Sequence, residues 1–179
     1  MRNLELKVAC DPIAFAHARS VAAALAAVTR LHQRDTYFVV RRGRLKLREI
    51  RHEEGRASAE LIGYDRPDDA SARWSIYHRA TIAPEETPAL LAALTGTLGL
   101  RIVVDKIREV AVVGRTRIHL DDVDGLGRFV ELETVGGDDA DDGGVSAELA
   151  NIAARLGIDT FPPIAGSYSD LLDAASRDA

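Results

Sequence analysis

Charged residues recur at every second position in several short stretches of this chain. Taken by parity, one side of these stretches collects Glu5 and Lys7, Lys46 and Arg48, Arg66, Lys106 and Arg108, Arg115, Arg117, His119 and Asp121, and finally Glu131 and Glu133. The other side collects Leu4, Leu6, Leu45, Leu47, Ile118, Leu120, Val130 and Leu132. Successive side chains point to opposite faces of a strand, so each stretch, as a strand, presents one ionic and one apolar face. Arginine offers phosphate oxygens a planar fork of donors, and lysine offers a point charge. Carboxylates in the same place repel phosphate unless a divalent cation stands between them, and Mg²⁺ commonly joins one or two carboxylates to phosphate oxygens. The mixture of signs therefore points to a metal and a polyphosphate bound together.

Two arrangements give this alternation. An antiparallel sheet with one face on helices and the other in water is the simpler one. A sheet of about eight strands can also curl and close, which turns the ionic face inward and leaves the apolar face for helices to cover. Unpaired buried charges cost several kcal/mol each, on the order of a whole domain's margin when many are gathered, so such a lumen needs an anionic guest. A triphosphate fits that description.

The elements that position these residues are legible in outline. Asn3 to Val8 alternates as an amphipathic strand, and Asp11-Pro12 supplies an N-cap and a first-turn proline for an alanine-rich helix from Ile13 to Val28. Gln33–Tyr37 and Arg44–Ile50 read as a hairpin across Arg41-Arg42-Gly43, followed by strands at Ala57–Tyr64 and Arg73–Ile82. A second helix runs from Pro84 to about Leu98, stopped by Gly99. Strands at Ile102–Val113, Arg115–Leu120 and Phe129–Thr134 bring the number to about eight. Residues 136–144 read as a mobile Gly/Asp loop, Val145–Leu156 as a third helix, and Ser167–Leu172 as a short tail. The fold class is α+β: a closed or nearly closed eight-stranded antiparallel barrel with about three covering helices, in a single domain over residues 1–179.

Composition agrees with a folded domain of ordinary kind. Of 179 residues, 46% are apolar and 28% charged, which excludes collagen-like and wholly disordered classes. The single cysteine, Cys10, makes no internal disulfide, and no Cys/His spacing resembles a zinc site. A net charge of −5 argues against a duplex nucleic-acid binder. The longest strongly apolar run, Val21 to Val28, is far short of the ~20 residues of a membrane span, and no apolar leader follows Met1-Arg2. The expectation is a cytoplasmic protein without membrane partners.

Several weaker signals carry nothing. The run Asp138 to Asp142 fails the calcium-loop template, since Gly143 at the required glycine puts Ala140 and Leu149 at ligand positions. Gly125-x-Gly127 lacks a third glycine and a βαβ context, and Ser167 and Ser169 are in no nucleophile elbow. His119 carries no assignment, a lone strand histidine being more often structural than catalytic, while Trp74 and Phe38 read as core or rim and Tyr37 and Tyr64 as packed aromatics.

Seven segments in order carry a resemblance: Leu4-Glu5-Leu6-Lys7, Gln33-Arg34-Asp35-Thr36-Tyr37-Phe38, Arg44-Leu45-Lys46-Leu47-Arg48, Tyr64-Asp65-Arg66-Pro67, Lys106-Ile107-Arg108, Arg117-Ile118-His119-Leu120-Asp121, and Gly125 to Glu133. Together they resemble the CYTH family, the triphosphate tunnel metalloenzymes that include class IV adenylyl cyclases and thiamine triphosphatases. The resemblance implies a tunnel holding a triphosphate with Mg²⁺ or Mn²⁺. It implies Glu5, Glu131 and Glu133 as catalytic acids, these three and Asp121 as the metal ligands, and Lys7, Lys46, Arg48, Arg66, Lys106, Arg108 and Arg117 as the phosphate grip. The family's opening Glu-x-Glu-x-Lys is here Asn3-Leu4-Glu5-Leu6-Lys7. An amide brings no negative charge, which weakens a second metal site more than the first. The cyclase-like branch is the leading reading, ATP to cAMP and pyrophosphate. The alternatives are a triphosphatase acting on tripolyphosphate, thiamine triphosphate or a nucleotide, and a non-catalytic polyphosphate or nucleotide module. The partner is a triphosphate-containing small molecule, with a homodimer left open.

Overall fold

The computed structural model describes residues 2–65, 76–136 and 142–177. Arg66, Trp74 and the aspartates Asp138, Asp139 and Asp141 lie outside the described residues. Among the described residues eight strands are formed, β1 (Arg2–Cys10), β2 (Thr29–Phe38), β3 (Arg44–His52), β4 (Ala57–Asp65), β5 (Ile76–Ile82), β6 (Leu100–Val113), β7 (Thr116–Val123) and β8 (Gly127–Gly136). The helices are α1 (Pro12–Leu25), α2 (Thr87–Leu98) after a 3-10 turn at Pro84–Glu86, α3 (Asp142–Leu156) and α4 (Tyr168–Arg177).

The strands make one sheet in the order β1-β8-β7-β6-β2-β3-β4-β5. β1 and β5 are its two ends, so the expected barrel is not closed by hydrogen bonds among the described residues. Closure would require β1 and β5 to pair. Instead β1 is met beyond its pairing with β8 by the chain that follows α3, where Val8 bridges Pro163 and the Ile164 N–H donates to the Lys7 carbonyl at 2.8 Å.

The chain divides into two compact units, one of Met1–Arg30, Arg108–Val123 and Gly127–Ala165, the other of Leu31–Ile107, Asp124–Leu126 and Gly166–Ala179. In the first, the apolar face of β1, β7 and β8 forms the core through Val8, Ile118, Leu120, Val130 and Leu132, with Leu6 packed against it. Ala18 and Ala22 of α1 and Ile152, Ala153 and Leu156 of α3 complete that core, the small alanines letting α1 lie close. Burying a large aliphatic side chain contributes roughly 1.5–3 kcal/mol, which is what fixes the strand faces. In this unit the apolar parity read from the sequence is thus the helix-covered face, and the ionic parity is the opposite one.

Local signals explain the helix ends. Asp11 Oδ1 accepts from the N–H groups of Ile13 and Ala14 at 2.8 and 2.9 Å, with Pro12 at the first turn. α1 stops at Leu25, three residues short of the expected Val28, because Ala26 is already extended and the chain goes straight into β2. Gly157, at φ 69, ends α3 with its N–H on the Ala154 carbonyl and that of Ile158 on the Ala153 carbonyl. Asp142, Gly143 and Gly144, expected in the loop, form the start of α3.

In the second unit, β2 to β5 pair in sequence, and Phe38, Leu47 and Ala59 are buried on one face. The expected short tail is the helix α4. Its start is capped by Asp170, whose Oδ2 reaches back to accept from the Ser167 N–H at 3.0 Å and from the Ser167 hydroxyl at 2.6 Å. Arg44 donates to both Asp170 oxygens at 3.1 and 3.2 Å, and Arg101 reaches Asp170 at 3.4 Å and also pairs with Asp173. Burial alone would raise the Asp170 carboxyl, but the Ser167 hydrogen bonds, then Arg44 and Arg101, hold it below its ordinary value. Asp170→Ala is expected to speed amide exchange within α4 by about tenfold to a hundredfold, the equivalent of losing charge-assisted bonds of roughly 1.5–3 kcal/mol. Unchanged protection of α4 by hydrogen exchange would show that its apolar contacts suffice. No helix among the described residues is long and apolar enough to cross a membrane.

Candidate active site

The ionic face of the first unit is assembled by strand register. Glu5 stands opposite Glu133 and Lys7 opposite Glu131 across β1 and β8, while Arg117 stands opposite Glu133 and His119 opposite Glu131 across β7 and β8. Directly opposed residues are cross-strand neighbours, so the pairing alone interleaves acids and bases. Lys7 Nζ lies 3.2 Å from Glu131 Oε1, and Arg117 Nη1 lies 3.1 Å from Glu133 Oε2. Asn3 donates its amide N–H to Glu133 Oε1.

Arg108 arrives from β6 and binds the fully buried Asp121 through two parallel bonds, Nε to Oδ1 at 2.6 Å and Nη2 to Oδ2 at 2.5 Å. The same Nη2 donates to Glu131 Oε2 at 3.0 Å. Asp121 therefore aims Arg108, a fork-to-fork geometry that fixes the guanidinium plane. His119 Nδ1 sits 3.5 Å from Glu131 Oε2. Burial, then Arg108, push the imidazole below its ordinary value despite Glu131 and Asp121, so His119 is neutral near pH 7.

The second unit holds a separate ionic cluster built on the β2–β3 hairpin. Asp35 faces Arg48 and Tyr37 faces Lys46 in its register. The buried Asp35 carboxylate accepts from Lys46 Nζ at 2.8 Å and from Arg48 Nε and Nη2, both at 2.7 Å. Burial would raise this carboxyl, but Lys46, Arg48 and Lys106 outweigh it and hold it far below the usual carboxylate range. Tyr37 lies 3.3 Å from Lys46 Nζ, and burial followed by Asp35 pushes its hydroxyl up to about 12. Tyr64, buried and beside Tyr37, is raised as well. From α4, the Tyr168 ring lies beneath Lys106 with its centroid 4.7 Å from Nζ.

Lys46, Lys106 and Arg108 are all less than a tenth exposed. The simpler arrangement, an ionic face turned wholly to water, is therefore not the one that forms. Of the residues singled out by parity, Lys7, Arg108, Arg117, Asp121, Glu131 and Glu133 come together in the first unit, with Glu5 in register beside them. Lys46 and Arg48 come together in the second, with Lys106 close enough to act on their shared carboxylate. Asp35 was missed. Its signal was available, since Gln33, Asp35 and Tyr37 alternate opposite Ile50, Arg48 and Lys46 in the hairpin register.

The first cluster fits a hard divalent cation by donor chemistry. Its acids are oxygen donors, and the Asn3 Oδ1 is a buried acceptor that meets no hydrogen-bond donor. Among the described residues no three or more His, Cys, Asp or Glu side chains are gathered so as to hold a metal ion by themselves. Mg²⁺ or Mn²⁺ would need phosphate and water oxygens to complete its sphere beside one or two of these carboxylates.

Comparison with solved structures identifies the fold. A protein of Pyrococcus horikoshii OT3 superposes with a TM-score of 0.76 at 22% identity, covering 97% of this chain and 99% of the other. A candidate adenylate cyclase of Vibrio parahaemolyticus gives 0.66 at 19% identity over 97% and 98%. A Hippeastrum protein described as a candidate adenylyl cyclase with a dominant triphosphatase activity gives 0.63 at 15% identity over 99% and 96%. No curated protein matches the sequence. The CYTH domain family model matches residues 1–168. Register, ionic clusters and family match agree: the chain belongs to the CYTH domain family.

Proposed function

We propose that this chain is a metal-dependent enzyme acting on a nucleoside or organic triphosphate, with ATP to cAMP and pyrophosphate as the leading reaction. The observation that carries the reading is the interleaving of Glu5, Glu131 and Glu133 with Lys7, Arg108 and Arg117 on one sheet face. A bound Mg²⁺ or Mn²⁺ would supply charge neutralisation and polarisation at phosphate. Glu5 and Glu133, opposed in register, are the proposed carboxylates for it, with Glu131 beside them. Asp121 serves by orienting Arg108. Lys7, Lys46, Arg48, Lys106, Arg108 and Arg117 bind phosphate oxygens in this reading, together with Arg66. Where these cations are clasped by carboxylates, as Lys46 and Arg48 are by Asp35, they are held in place before substrate arrives, so little side-chain ordering remains to oppose binding.

The second reading is a triphosphatase, which directs water to the terminal phosphate with the same residues. It is favoured by the likeness to the Hippeastrum protein, whose triphosphatase activity is dominant. Incubation with ATP, tripolyphosphate or thiamine triphosphate and Mn²⁺, with products identified by mass, separates the two. cAMP with pyrophosphate supports the cyclase, and inorganic phosphate supports the triphosphatase. Binding of all three ligands without any product would sink both and leave a binding module.

Lys46→Ala is expected to raise KM about tenfold to a hundredfold while changing kcat much less, because a charged hydrogen bond to phosphate is worth roughly 1.5–3 kcal/mol in ground and transition state alike. A fall confined to kcat would place Lys46 at the reacting phosphate instead.

A further inference from the structure

Resting on the reading above, we propose that Tyr37 is a positioning residue for the phosphate-binding Lys46, its hydroxyl and ring together setting where the ammonium stands in the second unit. Strand register builds the arrangement. Tyr37 on β2 stands directly opposite Lys46 on β3, and Tyr64 on β4 is two residues along from Ile62, which Lys46 faces on its other side. Opposed and diagonal neighbours are both within reach of a long or aromatic side chain. Lys46 Nζ donates to the Tyr37 hydroxyl at 3.3 Å, and it lies 5.2 Å from the centre of the Tyr37 ring and 5.8 Å from that of Tyr64. All three residues are less than a tenth exposed.

An ammonium carries three donors in tetrahedral array. One is directed to Asp35 at 2.8 Å and one to Tyr37, and fixing two of the three fixes the direction of the third. The two partners differ in what they do to an incoming phosphate. Asp35 compensates the buried cation with a full negative charge, which repels the anion. An aromatic face attracts the same cation without bringing a formal charge, so Tyr37 and Tyr64 hold Lys46 at no electrostatic cost to the phosphate. Tyr37 is itself fixed: its hydroxyl is hydrogen-bonded to those of Tyr64 and Ser169. Ser169, wholly buried in the first turn of α4, has its Oγ 2.8 Å from that of Ser167, which Asp170 holds in turn. The start of α4 thereby anchors the tyrosine that aims Lys46. Packing alone would be served as well by phenylalanine, which keeps the ring but loses the second directed bond to the ammonium.

The test titrates bis(methylene)triphosphonate, a triphosphate analogue that resists hydrolysis, into the full chain with Mn²⁺ present, and likewise into Tyr37→Phe, Lys46→Ala and the double variant, reading Kd by calorimetry. Tyr37→Phe should weaken binding about threefold to tenfold, the worth of a single typical hydrogen bond. In the Lys46→Ala background the same substitution should change Kd less than about twofold, because the cation it positions is gone and the two effects are not additive. Should Tyr37→Phe not fold, Ser169→Ala carries the same test, since it loosens Tyr37 from α4 without touching Lys46, and the same Lys46-dependent weakening is expected. Parent-like affinity in the variant, or an equal fold-change with and without Lys46, would overturn this inference and leave the proposed function standing. A parent that does not bind the analogue would overturn both.

Discussion

Asp35→Asn is expected to lower the unfolding free energy by about 3–5 kcal/mol, the usual cost of removing one partner from a buried ionic network. The carboxylate is buried and accepts three charge-assisted bonds, one from Lys46 and two from Arg48. Asparagine keeps the volume but not the charge, so Lys46 and Arg48 are left beside a neutral amide. If these cations serve to bind phosphate, the variant should also gain more stability from tripolyphosphate than the parent does, since the anion then replaces the missing carboxylate. Urea unfolding with and without tripolyphosphate measures both. A loss under 1 kcal/mol would mean that the hairpin holds its cations by packing.

The same residue sets a pH dependence whose sign follows from linkage. The folded-state carboxyl is held far below its unfolded value, ~3.9, because Lys46, Arg48 and Lys106 outweigh the effect of burial. A depressed carboxyl contributes stability that is fully present above the unfolded pKa and is lost as pH falls toward the folded one. The parent should therefore lose stability steeply below about pH 4, and Asp35→Asn should lose less over that window.

The sheet and its two faces were readable in the sequence because period-two alternation is a direct consequence of strand geometry. Leu4, Leu6, Ile118, Leu120, Val130 and Leu132 declare one parity, and packing of all but Leu4 against α1 and α3 enforces it. Closure was not readable in the same way. Parity says which way a side chain points along its own strand, whereas closure depends on whether the two end strands pair, and the outer edge of β1 is met by Pro163 and Ile164, far along the chain. α4 was overlooked because its apolar content is small, although in Ser167-Tyr168-Ser169-Asp170 an acid three residues after a serine announces a helix start. Asp35 was overlooked for a chemical reason. A search for groups that would touch phosphate selects cations, and the acid that holds those cations in place is chosen by register with Arg48 rather than by residue type.

Glu133→Gln should reduce kcat about 10²–10³-fold, the usual effect of deleting one preorganised electrostatic group from an active site, with KM for the triphosphate little changed. The structure makes this substitution cleaner than Glu131→Gln. Glu131 joins Lys7, Arg108 and His119 at once, so altering it disturbs the aim of two cations as well as the donor set. Glu133 instead pairs with Arg117, whose side chain is about half exposed, and accepts from Asn3, a bond that the glutamine Oε1 can still accept. An exposed ion pair of that kind contributes only about 0–1 kcal/mol, so Glu133→Gln should melt close to the parent while losing turnover. The loss should be matched by weaker Mn²⁺ binding in the absence of substrate, which separates a metal ligand from a residue that merely orders the sheet. Parent-like turnover in Glu133→Gln would remove the Glu5–Glu133 pair as the metal seat and move the search to Glu131, whose two oxygens would then have to leave Lys7 and Arg108 for the ion.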